Sequence, residues 1–366
     1  MYLALRDLRF AKGRFILMGG VVALITLLLV LLSGLTAGLG NQSTSALAAL
    51  PADQIVFGAP AGDSAKASFT ESEVTLEQLS EWTSREGVKH AELLGISQSR
   101  FQAIGPAGTP SGTASVAVFG TEGSPGNGLA PAPVAEGTIV IGSSLAEELE
   151  LQSGSRATVG GTELTVSAVV PDQWYSHTGV VWTTLGDWRR LAHISGTDAA
   201  ATVIAVTTHG GKLGVDAANA AAGTVSTTRE GSFQALGSYK SENGSLLLMQ
   251  AFLYGISALV IVAFLTVWTV QRTRDVAVLK ALGGSSRYVL TDAMVQAAVI
   301  LLAGAAAGGM LGVAGGALAA GAAPFLLSPQ TTLLPVAGIV VLGLAGAALA
   351  VRSIIRVDPL LALGGN

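Results

Sequence analysis

FILMGGVVALITLLLVLLSGLTAGL, residues Phe15–Leu39, holds no charged side chain over 25 consecutive positions. The hydrocarbon core of a bilayer takes about 20 apolar residues of helix, so this stretch predicts a membrane span. It is too long for the apolar core of a secretion signal, which runs to about 15 residues. Ala37-Gly38-Leu39 also lacks the small-x-small pattern of a cleavage site. An uncleaved anchor is expected. Three more runs share the character. Leu246–Val270 is uncharged, Ala293–Phe325 is uncharged and rich in Ala and Gly, and Leu333–Val351 is the last. Polar or charged residues close them: Arg14 before the first, Asn41 after it, Gln271 and Arg272 after the second, Arg352 after the fourth.

The composition points the same way. Of 366 residues 50% are hydrophobic and 12% charged, where a soluble domain carries about 25% charged residues. The mean hydropathy is +0.57. Cysteine is absent, which excludes disulfides and thiolate metal sites. Many of the 47 glycines fall inside apolar runs, as membrane helices that pack closely require.

Basic residues set the orientation, because Lys and Arg stay on the cytoplasmic side. Arg6, Arg9, Lys12 and Arg14 precede the first span. Arg272, Arg274, Lys280 and Arg287 lie between the second and third, and Arg352 and Arg356 follow the fourth. The connection Pro324–Thr332 has none. Both termini and the second-to-third loop are therefore expected inside a plasma membrane, and Gly40–Ser245 outside. That outer segment holds 10 Lys and Arg against 20 Asp and Glu, whereas the rest holds 10 against 4. An acidic outside and a basic inside hide within the near-neutral total. The expected layout is a cytoplasmic amphipathic segment (1–14), a first span (15–39), an extracellular domain (40–245), a second span (246–270), a cytoplasmic loop (271–289), a third span (290–325), an extracellular loop (326–332), a fourth span (333–351) and a cytoplasmic tail (352–366). The fold class is a membrane protein of four transmembrane helices with a large α+β extracellular domain inserted between helices 1 and 2.

Within that domain, Glu73–Glu86 reads as a helix, with Thr70 and Glu73 in capping-box spacing and Val74, Leu76, Leu79 and Trp82 as its buried stripe. Ser143–Leu151 reads as a short helix. Ala114–Phe119, Thr138–Ile141, Glu163–Val170, Val180–Thr183 and Thr202–Thr207 are rich in β-branched residues and read as strands. Gly105–Thr113 and Gly120–Pro133 read as Gly/Pro-rich loops.

Chemistry is sparse. No G-x-x-x-x-G-K-[ST] string exists, so ATP, if used, is bound with Mg2+ by another subunit. No intrinsic cofactor and no catalytic residue is expected, and nothing suggests nucleic acid. His90, His177, His193 and His209 show no metal-binding spacing, and no metal site is expected. The spans lack ionisable side chains over most of their length. Such groups mark proton and ion pathways, so a gradient-coupled carrier or an ion channel is disfavoured. Gly304, Gly308, Gly312 and Gly316 make one face of the third span, suited either to packing within the chain or to a dimer contact. The loop QRTRDVAVLKALGGSSRYV (271–289) places Val276, Leu279 and Leu282 on one helical stripe that ends at Gly283-Gly284. Such a ridge could dock in a partner's groove, or the loop could be an ordinary basic turn.

The stretch RTRDVAVLKALGGSSR (272–287) resembles the R-x-x-E-I-x-x-L-K-A-L-G-A-S signature of permease subunits in the FtsX/MacB superfamily of ABC transporters. Asp275 stands where Glu is usual and Gly284 where Ala is usual. The tail RSIIRVDPLLAL (352–363) resembles that superfamily's closing Pro-x-x-A-L pattern, and the order of span, large outer domain and three spans agrees. The resemblance implies that the loop is a coupling helix, with Arg272, Arg274, Asp275, Val276, Leu279, Lys280, Leu282 and Gly283 meeting a cytoplasmic ABC ATPase. It also implies a permease homodimer with two ATPase copies. Within the superfamily, LRDLRFAKGRF (5–15) and LTAGLGNQSTSALAALPAD (35–53) are most similar to heme-exporting permeases, which implies ATP-driven extrusion of heme or another amphipathic molecule. The alternative is an FtsX-like transmitter that regulates an outer partner without moving cargo. A porphyrin needs flat apolar walls and a side chain that can ligate iron. Tyr239, Glu242, Met249, Phe252 and Tyr254 around the start of the second span are candidates, with Tyr175 and His177, near Trp174 and Trp182, in the outer domain.

Overall fold

The computed structural model describes residues 12–60, 63–105, 108–122, 128–194, 199–210, 214–271, 278 and 285–355. They form two compact units, one of Gly40–Glu242 and the other of the chain before and after it. The element order opens with helix α1 (Lys12–Ala48), strand β1 (Gln54–Phe57), α2 (Leu76–Thr83), β2 (Val88–Ile104) and β3 (Pro110–Thr121). Next come β4 (Thr138–Gly142), α3 (Ser143–Glu148), β5 (Arg156–Val159), β6 (Thr162–Val170), β7 (Trp174–Tyr175) and β8 (Thr178–Thr184). Then follow α4 (Leu185–Leu191), β9 (Val203–Thr208), α5 (Val215–Ala222) and β10 (Val225–Thr228). The chain closes with three long helices, α6 (Gly237–Gln271), α7 (Ser286–Ala319) and α8 (Pro329–Ile355).

Four helices, α1, α6, α7 and α8, are long and apolar enough to cross a membrane. In lipid the backbone must satisfy its own hydrogen bonds, which a helix does within itself. Their shared core is aliphatic: Met18, Val22 and Leu29 of α1, Ile261 and Leu265 of α6, Ile300 and Leu301 of α7, and Ile339 of α8. The glycine face of α7 is spent inside the chain. A Cβ on Gly304 would lie 2.8 Å from the Gly19 carbonyl oxygen, and one on Gly308 only 2.2 Å from that of Ala23. A Cβ on Gly312 would lie 2.8 Å from Val30, and one on Gly316 2.3 Å from the Phe325 ring. The same ring covers Gly34, and the Leu326 N–H donates to the Gly34 carbonyl at 3.1 Å. Of the two uses open to this face, packing within the chain is the one seen, against α1 at Gly304, Gly308 and Gly312 and against Phe325 at Gly316.

The inserted domain is built on a mixed sheet ordered β10-β1-β9-β2-β3-β8-β4-β6-β5, with β7 beside β8 and β5 also pairing with β2. The second half of β2 pairs with β3 on one edge and β5 on the other, so β2-β3-β8-β4-β6-β5 closes on itself. Adjacent residues along the strands enter different cores. Val56, Leu93, Val118, Val181 and Ile204 join one that includes Trp82, Leu145, Trp188 and Ala218 of the short helices. Phe57, Leu94, Phe119, Trp182 and Val203 join the other, which includes Ala46 and Leu47 from the end of α1 and Leu236. The sheet is thus buried on both faces.

Two helix expectations need correction. The first helix of the domain starts at Leu76 rather than Glu73. Its capping box is Thr75 with Gln78, not Thr70 with Glu73: the Gln78 N–H donates to Thr75 Oγ1 at 3.2 Å and the Thr75 N–H to Gln78 Oε1 at 3.0 Å. Val74 is instead held in a bridge to Ala201, and Leu76 faces outward. Trp82 keeps its buried role, its Nε1–H donating to Thr224 Oγ1 at 3.0 Å. The helix expected over Ser143–Leu151 ends at Glu148. The expected Gly105–Thr113 and Gly120–Pro133 loops are shortened by β3, which runs from Pro110 to Thr121. Residues 123–127 of the second lie outside the described residues, as do 1–11 of the N-terminal segment and 356–366 of the tail.

One packing detail fixes two glycines. Gly95 of β2 and Gly120 of β3 are directly paired, and a Cβ on either would run into Trp188 at 2.2 and 2.3 Å. The pair makes a flat floor for the indole, whose Nε1–H donates to Ser97 Oγ at 3.1 Å. Forcing extra carbons into a filled core costs about 1–3 kcal/mol. Gly120→Val is therefore expected to lower the unfolding midpoint of the inserted domain by several degrees, read as loss of β-sheet circular dichroism on heating the full chain in detergent. In the bundle, Gly308→Leu is expected to lower the temperature at which the detergent-solubilised chain aggregates, again by several degrees. Gly255→Leu, at a position on α6 with open space around it, serves as the control and is expected to match the parent.

Candidate functional site

A hairpin, two helix ends and an aromatic cluster meet on one side of the inserted domain. Tyr175, at the end of β7, is 6% exposed. Its ring stands edge-on to Phe69, with centroids 5.9 Å apart, and to Phe119 at 5.4 Å. Phe119 in turn meets Trp182 at 5.0 Å and Phe69 meets Phe57 at 5.0 Å. Burial pushes the Tyr175 phenol well above its ordinary titration range, because desolvation disfavours the phenolate.

The next two residues, Ser176 and His177, form the turn into β8. Both adopt left-handed backbone, with φ of +49° and +64°. His177 Nε2 lies 2.8 Å from Glu242 Oε2 and 3.1 Å from Ser43 Oγ. With Glu242 ionised, Nε2 carries the proton and donates, and Ser43 Oγ is its second acceptor. Tyr239, on the same first turns of α6 as Glu242, is half-buried and edge-on to Phe233 at 6.2 Å. It packs beside the aromatic core. Three expected residues from distant parts of the sequence, Tyr175, Tyr239 and Glu242, thus belong to one neighbourhood.

The other three lie on α6 in the membrane unit and do not act together. Met249 and Phe252 are 56% and 64% exposed, on a stripe continued by Ile256 and Leu259. Tyr254 points the opposite way and packs on α8, where a Cβ on Gly338 would lie 3.0 Å from its ring. The eight expected coupling residues, Arg272, Arg274, Asp275, Val276, Leu279, Lys280, Leu282 and Gly283, lie outside the described residues.

Sequence reasoning missed the serines. Ser43 and Ser45 of α1 and Ser238 of α6 receive the hairpin, yet a serine in a polar helix end carries no distinguishing pattern. It also missed the polar tie inside the bundle, where Gln250 Nε2 donates to Thr36 Oγ1 at 3.1 Å. Among the described residues no group of three or more His, Asp or Glu is placed to hold a metal ion.

Comparison with known proteins agrees with this architecture. Residues 15–224 match the MacB-like periplasmic core domain, and residues 247–359 match the FtsX-like permease C-terminal domain. A hemin transport system permease protein, HrtB, of Staphylococcus epidermidis is 23% identical over 367 residues, covering all of both chains. An ABC transporter permease of Mycobacterium bovis, Mb2592, is 30% identical over 128 residues, covering 33% of this chain and 34% of that one. The extracellular domain of YknZ, a noncanonic ABC-type transporter from Gram-positive bacteria, aligns over 48% of this chain and 99% of that one, at 14% identity and a TM-score of 0.34. With one family model spanning more than half of its length and a second spanning its membrane-helix end, this chain belongs to the FtsX/MacB family of ABC transporter permeases.

Proposed function

We propose that the chain is the membrane half of an ATP-driven exporter that extrudes heme or a similar amphipathic aromatic molecule from the bilayer. It works as a homodimer with two copies of a cytoplasmic ATPase that binds ATP and Mg2+. The observation that carries this reading is the chemistry of the bundle core. Among the described residues its buried polar side chains are Thr26, Ser257, Gln296 and Thr331, and no Asp, Glu, Lys, Arg or His is buried there. Asp292, half-buried near the start of α7, accepts from Gln296 Nε2 at 3.0 Å. A proton or ion gradient has nothing to act on in such a core, so the energy comes from a partner. The loop 271–289 is the natural receiver, with Val276, Leu279 and Leu282 as its ridge and Arg272, Arg274, Asp275 and Lys280 as its charged flanks. Orientation follows the basic flanks: termini and loop inside, inserted domain outside.

Heme is favoured as cargo on three grounds. The full-length relative is named for hemin transport. Beside the site, Phe233 and Tyr239 are aromatic and only half-buried. Tyr175 and Tyr239 offer phenols, a side chain that serves as an iron ligand in other heme proteins. Burial further disfavours the Tyr175 phenolate, so iron ligation there would require the metal to take the place of the phenol's proton. Met249 and Phe252, exposed on α6 in the membrane unit, suit the approach of an apolar molecule through lipid. Transmission without cargo remains the second use of the same architecture, and cargo binding separates the two.

Hemin titrated into the purified chain is expected to give a shifted Soret band. Tyr175→Phe and Tyr239→Phe are each expected to weaken binding about tenfold, as loss of roughly 1.4 kcal/mol would, and Met249→Ala to weaken it less. Equal binding by all variants, together with unchanged heme tolerance in cells lacking the protein, sinks the cargo reading and leaves the permease reading standing. Leu279→Asp is expected to abolish co-purification of the ATPase without lowering the amount of permease in the membrane. Undiminished co-purification would remove the loop from the interface.

A further inference from the structure

The turn that follows Tyr175 is fastened to two helices at once. Its backbone reaches α1: the Ser176 N–H donates to the Ser43 carbonyl at 3.0 Å, and the His177 N–H to the Gln42 carbonyl at 3.0 Å. Its side chains reach both. Ser176 Oγ lies 3.0 Å from Ser238 Oγ of α6, while His177 Nε2 spans Glu242 of α6 and Ser43 of α1. Two residues before Ser176 in the hairpin, the Trp174 N–H donates to Ser45 Oγ at 2.8 Å. A two-residue hairpin turn with both residues left-handed favours Asn-Gly, where the conformation is cheap. Ser-His lacks that advantage. Backbone held in a sparsely populated region persists only where its surroundings over-determine it, and here the surroundings are two helix ends.

α1 carries the chain into the inserted domain and α6 carries it out. β8, which the turn begins, pairs with β3 along Val116–Thr121 and so belongs to the centre of the sheet. We infer that Ser176–His177 is a latch, and that His177, acting through Glu242 and Ser43, is the positioning residue that carries displacement of the two helix ends into β8. The inference rests on the reading of the chain as a permease driven by an ATPase. It needs no particular cargo.

The test is hydrogen–deuterium exchange of the full chain with its ATPase, without nucleotide and after trapping with ATP and vanadate, with ATP turnover measured on the same sample. Without nucleotide, His177→Ala is expected to speed exchange at the Ser176 and His177 amides about tenfold. His177→Gln, whose Nε2 still donates, is expected to keep them protected. Trapping is expected to alter exchange along β8 in the parent and in His177→Gln but not in His177→Ala. That pattern separates a carrier of motion from a residue that merely stabilises the turn. Glu242→Gln, which keeps the shape and removes the charge, is expected to fall between the two and serves if His177→Ala does not fold. Full protection of both amides in His177→Ala overturns the latch. So does a β8 response of equal size in His177→Ala and the parent, or no β8 response in a parent that turns over ATP. Failure of the complex to hydrolyse ATP sinks the exporter reading instead, and the nucleotide-free exchange still judges the latch.

Discussion

The close approach of α7 to α1 is the contact on which the membrane unit depends. Lipid tails are as apolar as leucine, so helices in a bilayer gain nothing by hiding apolar surface from each other. What holds them is dispersion between well-fitted surfaces, which falls away within an ångström of separation. Gly304, Gly308 and Gly312 let α7 lie against the backbone and small side chains of α1 where any larger residue would stand off. With no charged side chain buried in the core among the described residues, packing has few substitutes. Thr26 returns its hydroxyl to the Val22 carbonyl of its own helix, and the tie from Gln250 to Thr36 is the kind of polar contact that supplements such packing.

The inserted domain works under the opposite rule. There water drives burial, and the sheet is covered on both faces. β1, β4, β8 and β9 therefore send alternate side chains into separate cores and read as continuous apolar runs rather than an in-out alternation. Polar residues caught in this arrangement are neutralised locally. Glu92 lies buried near the start of β2 with its carboxylate accepting from the Thr121 hydroxyl and from the Glu122 N–H at 3.2 Å. Asp187 lies in the first turn of the helix that Thr184 caps; its Oδ2 accepts from the Thr184 hydroxyl at 2.7 Å and from the Gly137 N–H at 2.9 Å, with Arg190 on its other oxygen.

These two regimes explain what was legible in the sequence. Long uncharged runs can be read directly, because length and charge alone decide them, and all four membrane helices were anticipated. The β-branched runs around Val116, Val140, Val166, Val181 and Ile204 were legible as strands for the same reason. The longest strand was not. β2 mixes Lys89, His90, Glu92, Gln98 and Arg100 with its apolar residues, and it changes partners from β9 to β3 and β5 partway along. No local period survives such a change. The capping box moved from Thr70 to Thr75 because two overlapping signals satisfy the same spacing rule, and the bridge from Val74 to Ala201 decides between them. Of the candidate site, residue types were readable and geometry was not. Tyr175, Tyr239 and Glu242 converge through contacts separated by more than sixty positions of chain, and Tyr254 turned away from its neighbours because Gly338 leaves room for its ring.

The placement of the indoles has a practical side. Of five tryptophans, Trp82, Trp174, Trp182 and Trp188 belong to the inserted domain and Trp268 to α6. Trp82, Trp182 and Trp188 are at most 2% exposed. Most of the intrinsic emission from this chain therefore comes from the inserted domain. Its red shift in denaturant tracks the opening of that domain's two cores.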